Sequence, residues 1–293
     1  MSSKQIMFSG FSSGGLIVQI ICLLVLIGLC IFVFKKYPLQ VTIQNIVFAA
    51  MFVLLASVMN ALSVMIPFFG VPSVKLSFVI LVLIVAGSSL SPSWAYLVGL
   101  VFDLVGLLIV PTDQPFLGFT LSHVLVTLLP SLWYVKSQSM KPQVAFRIIY
   151  SALFILGVFA AIYVLQMQQI QVGQDIVQIT TVMKISIVLF ISAAILILFA
   201  ILRYMQKKQK EETAAAFAKW MLIAIIGEVL YSIILTPLWL DVMYAIPWFV
   251  SMFIRVVKAC VMIPIDIVVG FSLVNLVHRV SFASKSKSLK EPK

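Results

Sequence analysis

The last apolar stretch of the sequence carries charged side chains at the spacing of one helical face. Arg255 and Lys258 are three residues apart and Asp266 follows eight residues later, so a helix places all three on one side. Two cations inside a membrane are unfavourable unless an anion lies beside them. That anion is either a protein carboxylate, Asp103 or Glu228, or the carboxylate of a ligand. Because the arginine fork matches a carboxylate bidentately, we expect Arg255, and next to it Lys258, to contact a ligand.

Asp103 is an isolated carboxylate inside another apolar stretch. It lies about ten residues into its predicted helix, roughly 15 Å deep at 1.5 Å per residue. Gly99 and Gly106 flank it, and Ala95 with Gly99 forms a small-xxx-small step that lets a second helix approach closely. We interpret Gly99, Asp103 and Gly106 as structural residues that fix close packing inside the membrane.

Aromatic side chains are predicted to lie near the outer surface. They are Phe116, Phe119, Trp239, Tyr244, Trp248 and Phe249. Each alone is typical of an interfacial belt. Together with Thr120, His123 and Arg255 they are predicted to line a cavity for a flat, anionic molecule. Taken alone, His123 is more typical of a packing residue than of a ligand or a proton carrier.

The composition indicates that these residues lie in helices that cross a membrane. Of the 293 residues, 63% are hydrophobic and 10% are charged, and the mean hydropathy is +1.19. Such a chain is an all-α protein that crosses a membrane many times, since about 20 apolar residues make one span. Nine segments qualify: Gly15 to Phe34, Ile43 to Ile66, Leu76 to Leu90, Trp94 to Val110, Gly118 to Val135, Ala145 to Leu165, Ile185 to Leu202, Trp220 to Leu240 and Trp248 to Val277.

The loops predict an orientation. Most of the 20 Lys and Arg residues fall in alternate loops and in the tail, which predicts that the N-terminus lies outside and the C-terminus in the cytoplasm. The net charge of +11 is then explained by basic loops near anionic lipid and not by nucleic-acid binding. We expect the polar segment from Gln166 to Lys184 to be an external loop, and Arg203 to Lys219 to form a short amphipathic cytoplasmic helix.

Motifs of soluble catalysis are missing from the sequence. It has no GxxxxGK[ST] phosphate loop, no HExxH and no GxSxG. Cys22, Cys30 and Cys260 lie in apolar runs without metal-ligand spacing, so neither a metal site nor a disulfide framework is expected. We therefore predict a protein that is not an enzyme, has no cofactor and does not itself hydrolyse ATP.

Two segments resemble a known family. The first reads LSFVILVLIVAGSSLSPSWAYLVGLVFDLVGLLIVPTDQPFLGFTLS, and the second reads LTPLWLDVMYAIPWFVSMFIRVVKACVMIPIDIVV. Both resemble the substrate-binding (S) components of energy-coupling factor (ECF) vitamin transporters, in the folate family. The first matches at Pro92, Gly99, Asp103, Gly106, Pro111, Gly118, Phe119, Thr120, Leu121 and Ser122. The second matches at Trp239, Tyr244, Pro247, Arg255, Lys258, Met262, Pro264 and Ile265.

The resemblance implies a division of the chain. A six-helix S-component core would occupy residues 41–142, with four helices, and 218–280, with two. Three additional transmembrane helices would lie in residues 1–40 and in the inserted pair of 143–217, which also holds a basic cytoplasmic loop. Residues 281–293 would form a basic tail.

The resemblance also implies partners and a role. An S component binds a vitamin from outside and associates with a coupling membrane subunit and two ATPase subunits. The site would use the loop after the first core helix, the loop before Thr120 and the loop between the last two helices. The first core helix would pack against the coupling subunit at Ala50 and Leu54, where the family usually has alanine at both positions.

Alternatives remain beside this interpretation. One is a non-transporting scaffold or regulatory subunit on the same fold, which the three additional helices and Leu54 favour. Another is a proton-coupled secondary carrier that uses Asp103 and Glu228. A membrane enzyme acting on lipid would need a clustered acid pair or a metal motif, which the sequence does not show.

Overall fold

The chain forms a bundle of helices with two short hairpins. The computed structural model describes residues 13–68, 71–109, 115–136, 142–166, 169–172, 175–178, 180–208, 211–244 and 248–288. The helices are α1 Ser13–Lys36, α2 Ile43–Ala61, α3 Val79–Ser89, α4 Pro92–Ile109, α5 Leu117–Lys136, α6 Pro142–Gln166, α7 Thr181–Lys208, α8 Glu211–Glu228, α9 Thr236–Tyr244 and α10 Trp248–Ser288. The strands are β1 Val64–Phe68, β2 Val71–Leu76, β3 Gln169–Val172 and β4 Asp175–Gln178.

Six helical segments are long and apolar enough to cross a membrane. They are Gly15–Lys36, Ile43–Ala61, Pro92–Ile109, Leu117–Tyr134, Thr181–Lys207 and Thr213–Tyr244, the last of which joins α8 to α9. Shorter apolar helices cover Val79–Ser89, Gln143–Ile155 and Met262–Val277. The predicted class, an all-α protein that crosses a membrane several times, is confirmed. Nine crossings and an external N-terminus stay predictions.

The first hairpin corrects the end of a predicted span. The segment Ile43 to Ile66 was expected to be one helix, but α2 ends at Ala61 and β1 begins at Val64. β1 pairs with β2 in antiparallel register from Val64↔Leu76 to Phe68↔Val71, with an irregularity between Ile66 and Pro67. Pro67 lies at this irregularity, because a proline has no backbone N–H to donate to the strand ladder.

Two further predicted segments differ in the structure. The polar segment that was predicted to be an external loop contains a second antiparallel hairpin, β3 with β4, in which Gln169 pairs with Gln178. The predicted amphipathic helix from Arg203 to Lys219 is not a separate element. Its first residues continue α7 to Lys208, and α8 begins at Glu211 and runs on into the next apolar segment.

The centre of the bundle is α3. Its sequence, VILVLIVAGSS, is apolar on every side, and ten consecutive residues from Val79 to Ser88 are buried. A helix that is apolar all round must be enclosed by others. Helices α2, α5, α8 and α10 enclose it. Gly87 permits the contact with α5, since a Cβ there would lie 2.0 Å from the carbonyl oxygen of Thr127.

Helix α1 is part of the packed bundle. It lies against α4 and α5, and the hydroxyl of Tyr96 on α4 donates a hydrogen bond to the carbonyl of Leu26 on α1 at 3.1 Å. Cys22, Leu26 and Val33 are buried in this contact. The opposite face of α1 leaves large apolar side chains exposed, as expected of a helix that faces lipid.

Candidate functional site

The two segments that carry the family resemblance meet at Trp239. Its indole Nε1 donates a hydrogen bond to the hydroxyl of Ser122 on α5 at 2.8 Å, across 117 residues of sequence. The ring packs on Phe116, with 5.7 Å between ring centroids. Gly118 makes room for it, because a Cβ there would lie 2.7 Å from Trp239 Cδ2. Three of the matched positions, Gly118, Ser122 and Trp239, therefore form one contact between α5 and α9, together with Phe116.

The aromatic residues predicted to line a cavity fall into two groups. Phe116 and Trp239 are buried against each other, and Phe119 meets Phe116 edge-on at 6.1 Å. Tyr244 is exposed at the end of α9, and Trp248 is half-buried at the start of α10. The structure thus brings Phe116, Phe119 and Trp239 together as a packed cluster, apart from the more open Tyr244.

A hydrogen-bonded chain starts at Asp103 on α4. The hydroxyl of Thr120 donates to Oδ2 at 2.5 Å, and Nδ1 of His123 lies 2.8 Å from Oδ1. An ionised carboxylate only accepts, so this geometry assigns the imidazole proton to Nδ1. Nε2 of His123 then accepts from the hydroxyl of Tyr231 at 3.0 Å. His123 therefore links Asp103 on α4 to Tyr231, a role that its sequence context alone did not indicate.

Tyr231 lies on a π-helical segment, Val229–Leu235, between α8 and α9. Pro237 explains the segment, because its ring clashes with the carbonyl group four residues earlier and it has no backbone N–H to donate to that carbonyl. The N–H of Thr236 bonds instead to the carbonyl of Tyr231, and the Thr236 hydroxyl donates to the same oxygen at 2.6 Å. Widened turns of this kind are frequent at functional sites. The widening sets the positions of Tyr231 and Ser232.

The predicted cationic face of α10 points into the protein. Arg255, Lys258 and Asp266 are all buried. Lys258 Nζ lies 3.4 Å from Glu228 Oε1 and 3.4 Å from the hydroxyl of Ser232. The protein itself supplies an anion for Lys258, the first of the two possibilities that the sequence left open. Its predicted contact with a ligand stays a prediction.

Arg255 belongs to the same buried region. Its Nε donates to the hydroxyl of Ser251 at 3.2 Å, one turn back along α10. It also lies close enough to Tyr231 and Glu228 to interact electrostatically with both. A guanidinium in this position has the chemistry to hold an anion bidentately, because it presents five N–H donors in a fixed fork.

These residues form one continuous region, which we call the polar layer. It comprises Asp103, Thr120, His123, Glu228, Tyr231, Ser232, Arg255, Lys258 and Asp266. Tyr231 and Ser232 were missed by sequence reasoning. The one signal that marks them is Pro237 inside an apolar helix, which predicts a local distortion one to two turns earlier.

The glycines beside Asp103 have different surroundings. A Cβ on Gly99 would lie 2.5 Å from Thr127 Oγ1 and 2.7 Å from Val124 Cα, so α4 and α5 touch backbone to backbone there. Gly106 requires no such approach, since its nearest neighbour would be Asn60 Nδ2 at 3.6 Å. The close packing expected around Asp103 is therefore concentrated at Gly99.

The residues predicted to contact a coupling subunit lie on the surface of α2. Both Ala50 and Leu54 are exposed, and Leu54 is 68% exposed. An exposed apolar stripe on a membrane helix faces lipid or another helix. Two further motif positions, Pro111 and Pro247, lie outside the described residues.

A cavity of about 360 Å³ opens on the other side of Asp103. Its walls are apolar side chains of α1 and α4, and the start of α5 closes one end. Asp103 and Thr120 are its main polar contribution, and Phe116 lies beside them. Neither Arg255 nor Lys258 lines it. We call it the α1 cavity. In the described part of the chain, no group of three His, Cys, Asp or Glu residues is placed to hold a metal ion.

Comparisons with known proteins give one structural similarity. No family model matches the sequence, and no curated protein matches it. A solved structure described as "Crystal structure of FolT bound with folic acid" is similar over 79% of this chain and 94% of its own, with a TM-score of 0.46 and 19% sequence identity. The protein in that structure binds folic acid, as its description states.

Proposed function

We propose that the protein is the substrate-binding membrane subunit of an ATP-driven vitamin importer of the ECF type. The observation that carries the proposal is the contact of the two signature segments through Trp239 and Ser122, beside a buried layer that contains Arg255. Three of the positions that match the S-component motifs, Gly118, Ser122 and Trp239, thus meet at one place in the fold. The substrate would be an anionic, flat vitamin of the folate kind.

Arg255 is the residue assigned to the substrate carboxylate. It is 6% exposed, so an anion that reaches it leaves water behind, and a charge-assisted bond gains strength in such surroundings. Phe116, Phe119, Thr120 and His123 would contribute to the site from the start of α5, and Trp239, Tyr244 and Trp248 from α9 and the start of α10. Lys258 would act from the turn behind Arg255.

Binding of labelled folate to the purified protein tests the proposal directly. We expect saturable binding in the wild-type protein and a loss of about 10- to 100-fold in affinity for Arg255→Ala, the equivalent of one charge-assisted bond. Arg203→Ala is the matched control, since Arg203 is exposed on α7. No folate binding at micromolar concentration contradicts the folate assignment, and unchanged affinity in Arg255→Ala removes that residue from the site.

The partners proposed are a coupling membrane subunit and two ATPase subunits. In this arrangement α2 presents Ala50 and Leu54 to the coupling subunit, the N-terminus lies outside and the C-terminus lies in the cytoplasm near anionic lipid. Purification in mild detergent followed by mass spectrometry should recover the ATPases with the protein. Leu54→Trp should reduce that recovery, whereas Leu196→Trp, on the exposed face of α7, should not.

A second candidate is a proton-coupled carrier. The observation that favours it is the chain Asp103–His123–Tyr231, in which each group can pass a proton to the next. Uptake measured in cells separates the two candidates. Transport that persists after ATP depletion and stops when the proton gradient is collapsed favours the carrier, and the opposite pattern favours the ATP-driven importer.

A further inference from the structure

Two carboxylates of the polar layer lack the contacts that a buried anion needs. Asp266 on α10 is 1% exposed, and within the described residues neither of its carboxylate oxygens has a hydrogen-bond partner. Glu228 is 0% exposed and also lacks hydrogen bonds there, although Lys258 lies 3.4 Å from its Oε1. Buried ionised carboxylates are normally paired and hydrogen-bonded, because an unmatched one costs several kcal/mol.

Lys258 is close to both acids but pairs with Glu228. Asp266 experiences the negative charge of Glu228 and the positive charge of Lys258 together. Across the described residues, the buried charged side chains are Asp103, Glu228, Asp266, Arg255 and Lys258. Around Lys258, two of these acids, Glu228 and Asp266, therefore face one ammonium group. One positive charge is missing.

We propose that Asp266 binds a proton, and that Glu228 and Lys258 form the ion pair beside it. A neutral carboxylic acid removes the like-charge repulsion between the two acids and restores the charge balance of the layer. A bound metal ion fits less well, because a hard cation needs several oxygen ligands and the described residues provide only this acid pair near Lys258.

Loss of this proton from Asp266 has a structural consequence. Loss of the proton turns Asp266 into a second anion next to Lys258, so Asp266 then competes with Glu228 for the same ammonium group. Pro264 lies two residues away and removes a backbone hydrogen bond from this part of α10. Trp220 on α8 holds the same turn by donating its Nε1 to the carbonyls of Asp266 and Ile267, at 3.3 and 3.1 Å. Protonation of Asp266 thus controls whether Lys258 stays paired with Glu228 on α8.

Other groups that face this site modulate it. From α10 itself they are Arg255 and Lys258; from α8, Glu228; from the π segment, Tyr231; and farther along the layer, His123 from α5 and Asp103 from α4. Helix α3 packs against α10 but has no charged residue in its sequence. The proton site is therefore a property of the Glu228–Lys258–Asp266 group and does not require a ligand.

Infrared difference spectroscopy of the purified full-length protein in lipid nanodiscs tests this proposal. The pH is titrated while the C=O stretch of protonated carboxyl groups is followed, with buffer of matched ionic strength. We expect a protonated-carboxyl band at neutral pH that disappears at alkaline pH. The band should be absent in Asp266→Asn and unchanged in Asp241→Asn, the matched control on the exposed face of α9.

Glu228→Gln is a second test variant, which keeps Asp266 and removes the neighbouring negative charge. Without the charge of Glu228, Asp266 is free to ionise beside Lys258, so the band should vanish at neutral pH in this variant too. The proposal is overturned if the wild-type protein shows no protonated-carboxyl band at neutral pH, or if the band survives in Asp266→Asn. A wild-type band that grows only when sodium is withdrawn would also overturn it, since a metal ion would then occupy the site.

Discussion

The polar layer and the α1 cavity lie on opposite sides of Asp103 and differ in what holds them together. In the polar layer, charged side chains from α4, α8 and α10 are buried: Lys258 pairs with Glu228, and Asp103 accepts hydrogen bonds from Thr120 and His123. In the α1 cavity, apolar side chains surround an open volume of about 360 Å³, and the carboxylate of Asp103 stands at one end. One region is filled and charged, and the other is open and apolar.

The difference shows that α1 has more than an anchoring role. The family resemblance treats this helix as an addition to the six-helix core, yet it supplies one wall of the cavity and accepts the Tyr96 hydrogen bond. Asp103 and Thr120 border both regions. Substitutions in the two regions should therefore have contrasting effects, which the following predictions use.

The largest effect is expected in the polar layer, from Lys258→Met. Removing the ammonium group leaves Glu228 buried without its counter-charge, which should cost about 3 to 5 kcal/mol in the free energy of unfolding. Thermal unfolding in detergent or nanodiscs measures the loss. The cost should shrink as the pH is lowered, because protonation of the carboxylate removes the unmatched charge.

Two comparisons make that prediction specific. Lys207→Met, on an exposed position of α7, should leave stability nearly unchanged. The double variant Lys258→Met with Glu228→Gln should recover most of the loss, since no unpaired charge then remains. If the double variant is as unstable as the single one, packing and not the ion pair is responsible.

Much of the polar layer follows from residue spacing, because helical periodicity depends on neighbours in sequence. The interval between Arg255 and Lys258 predicted a shared face, and the structure buries both residues. Long apolar runs likewise predicted the helices. The first hairpin escaped prediction because Val64 to Ile66 continues the apolar run of α2, and only Pro67 marks the change.

What could not be predicted depends on how helices pack. The Tyr231 to His123 bond joins residues 108 positions apart and relies on the widened turn of the π segment, for which the sequence offers Pro237 as a hint and no register. The α1 cavity depends on the distance between α1 and α4. That distance is set by contacts such as Tyr96 with Leu26, which no local pattern specifies.

Two substitutions by phenylalanine on α4 test the contrast between the filled bundle and the open cavity. Ala95 is fully buried, so Ala95→Phe should overpack the bundle and cost about 1 to 3 kcal/mol of stability. Leu100→Phe places its extra atoms toward the α1 cavity, which Leu100 lines, and should cost less than about 1 kcal/mol. Thermal unfolding of the two variants side by side gives the difference. Equal losses would mean that the cavity closes in the membrane.

A smaller effect than that of Lys258→Met tests how far the polar layer depends on the bond between His123 and Tyr231. Tyr231→Phe removes the hydroxyl that donates a hydrogen bond to His123 Nε2. The ring is kept, and so is its contact with the imidazole, with 5.4 Å between ring centroids. A neutral hydrogen bond contributes about 0.5 to 1.5 kcal/mol, so the loss in unfolding free energy should stay in that range. Tyr204→Phe, at an exposed position of α7, is the matched control and should have no effect. A loss well above the range would show that His123 cannot hold its place through Asp103 alone. The chain from Asp103 to Tyr231 would then act as one cooperative unit.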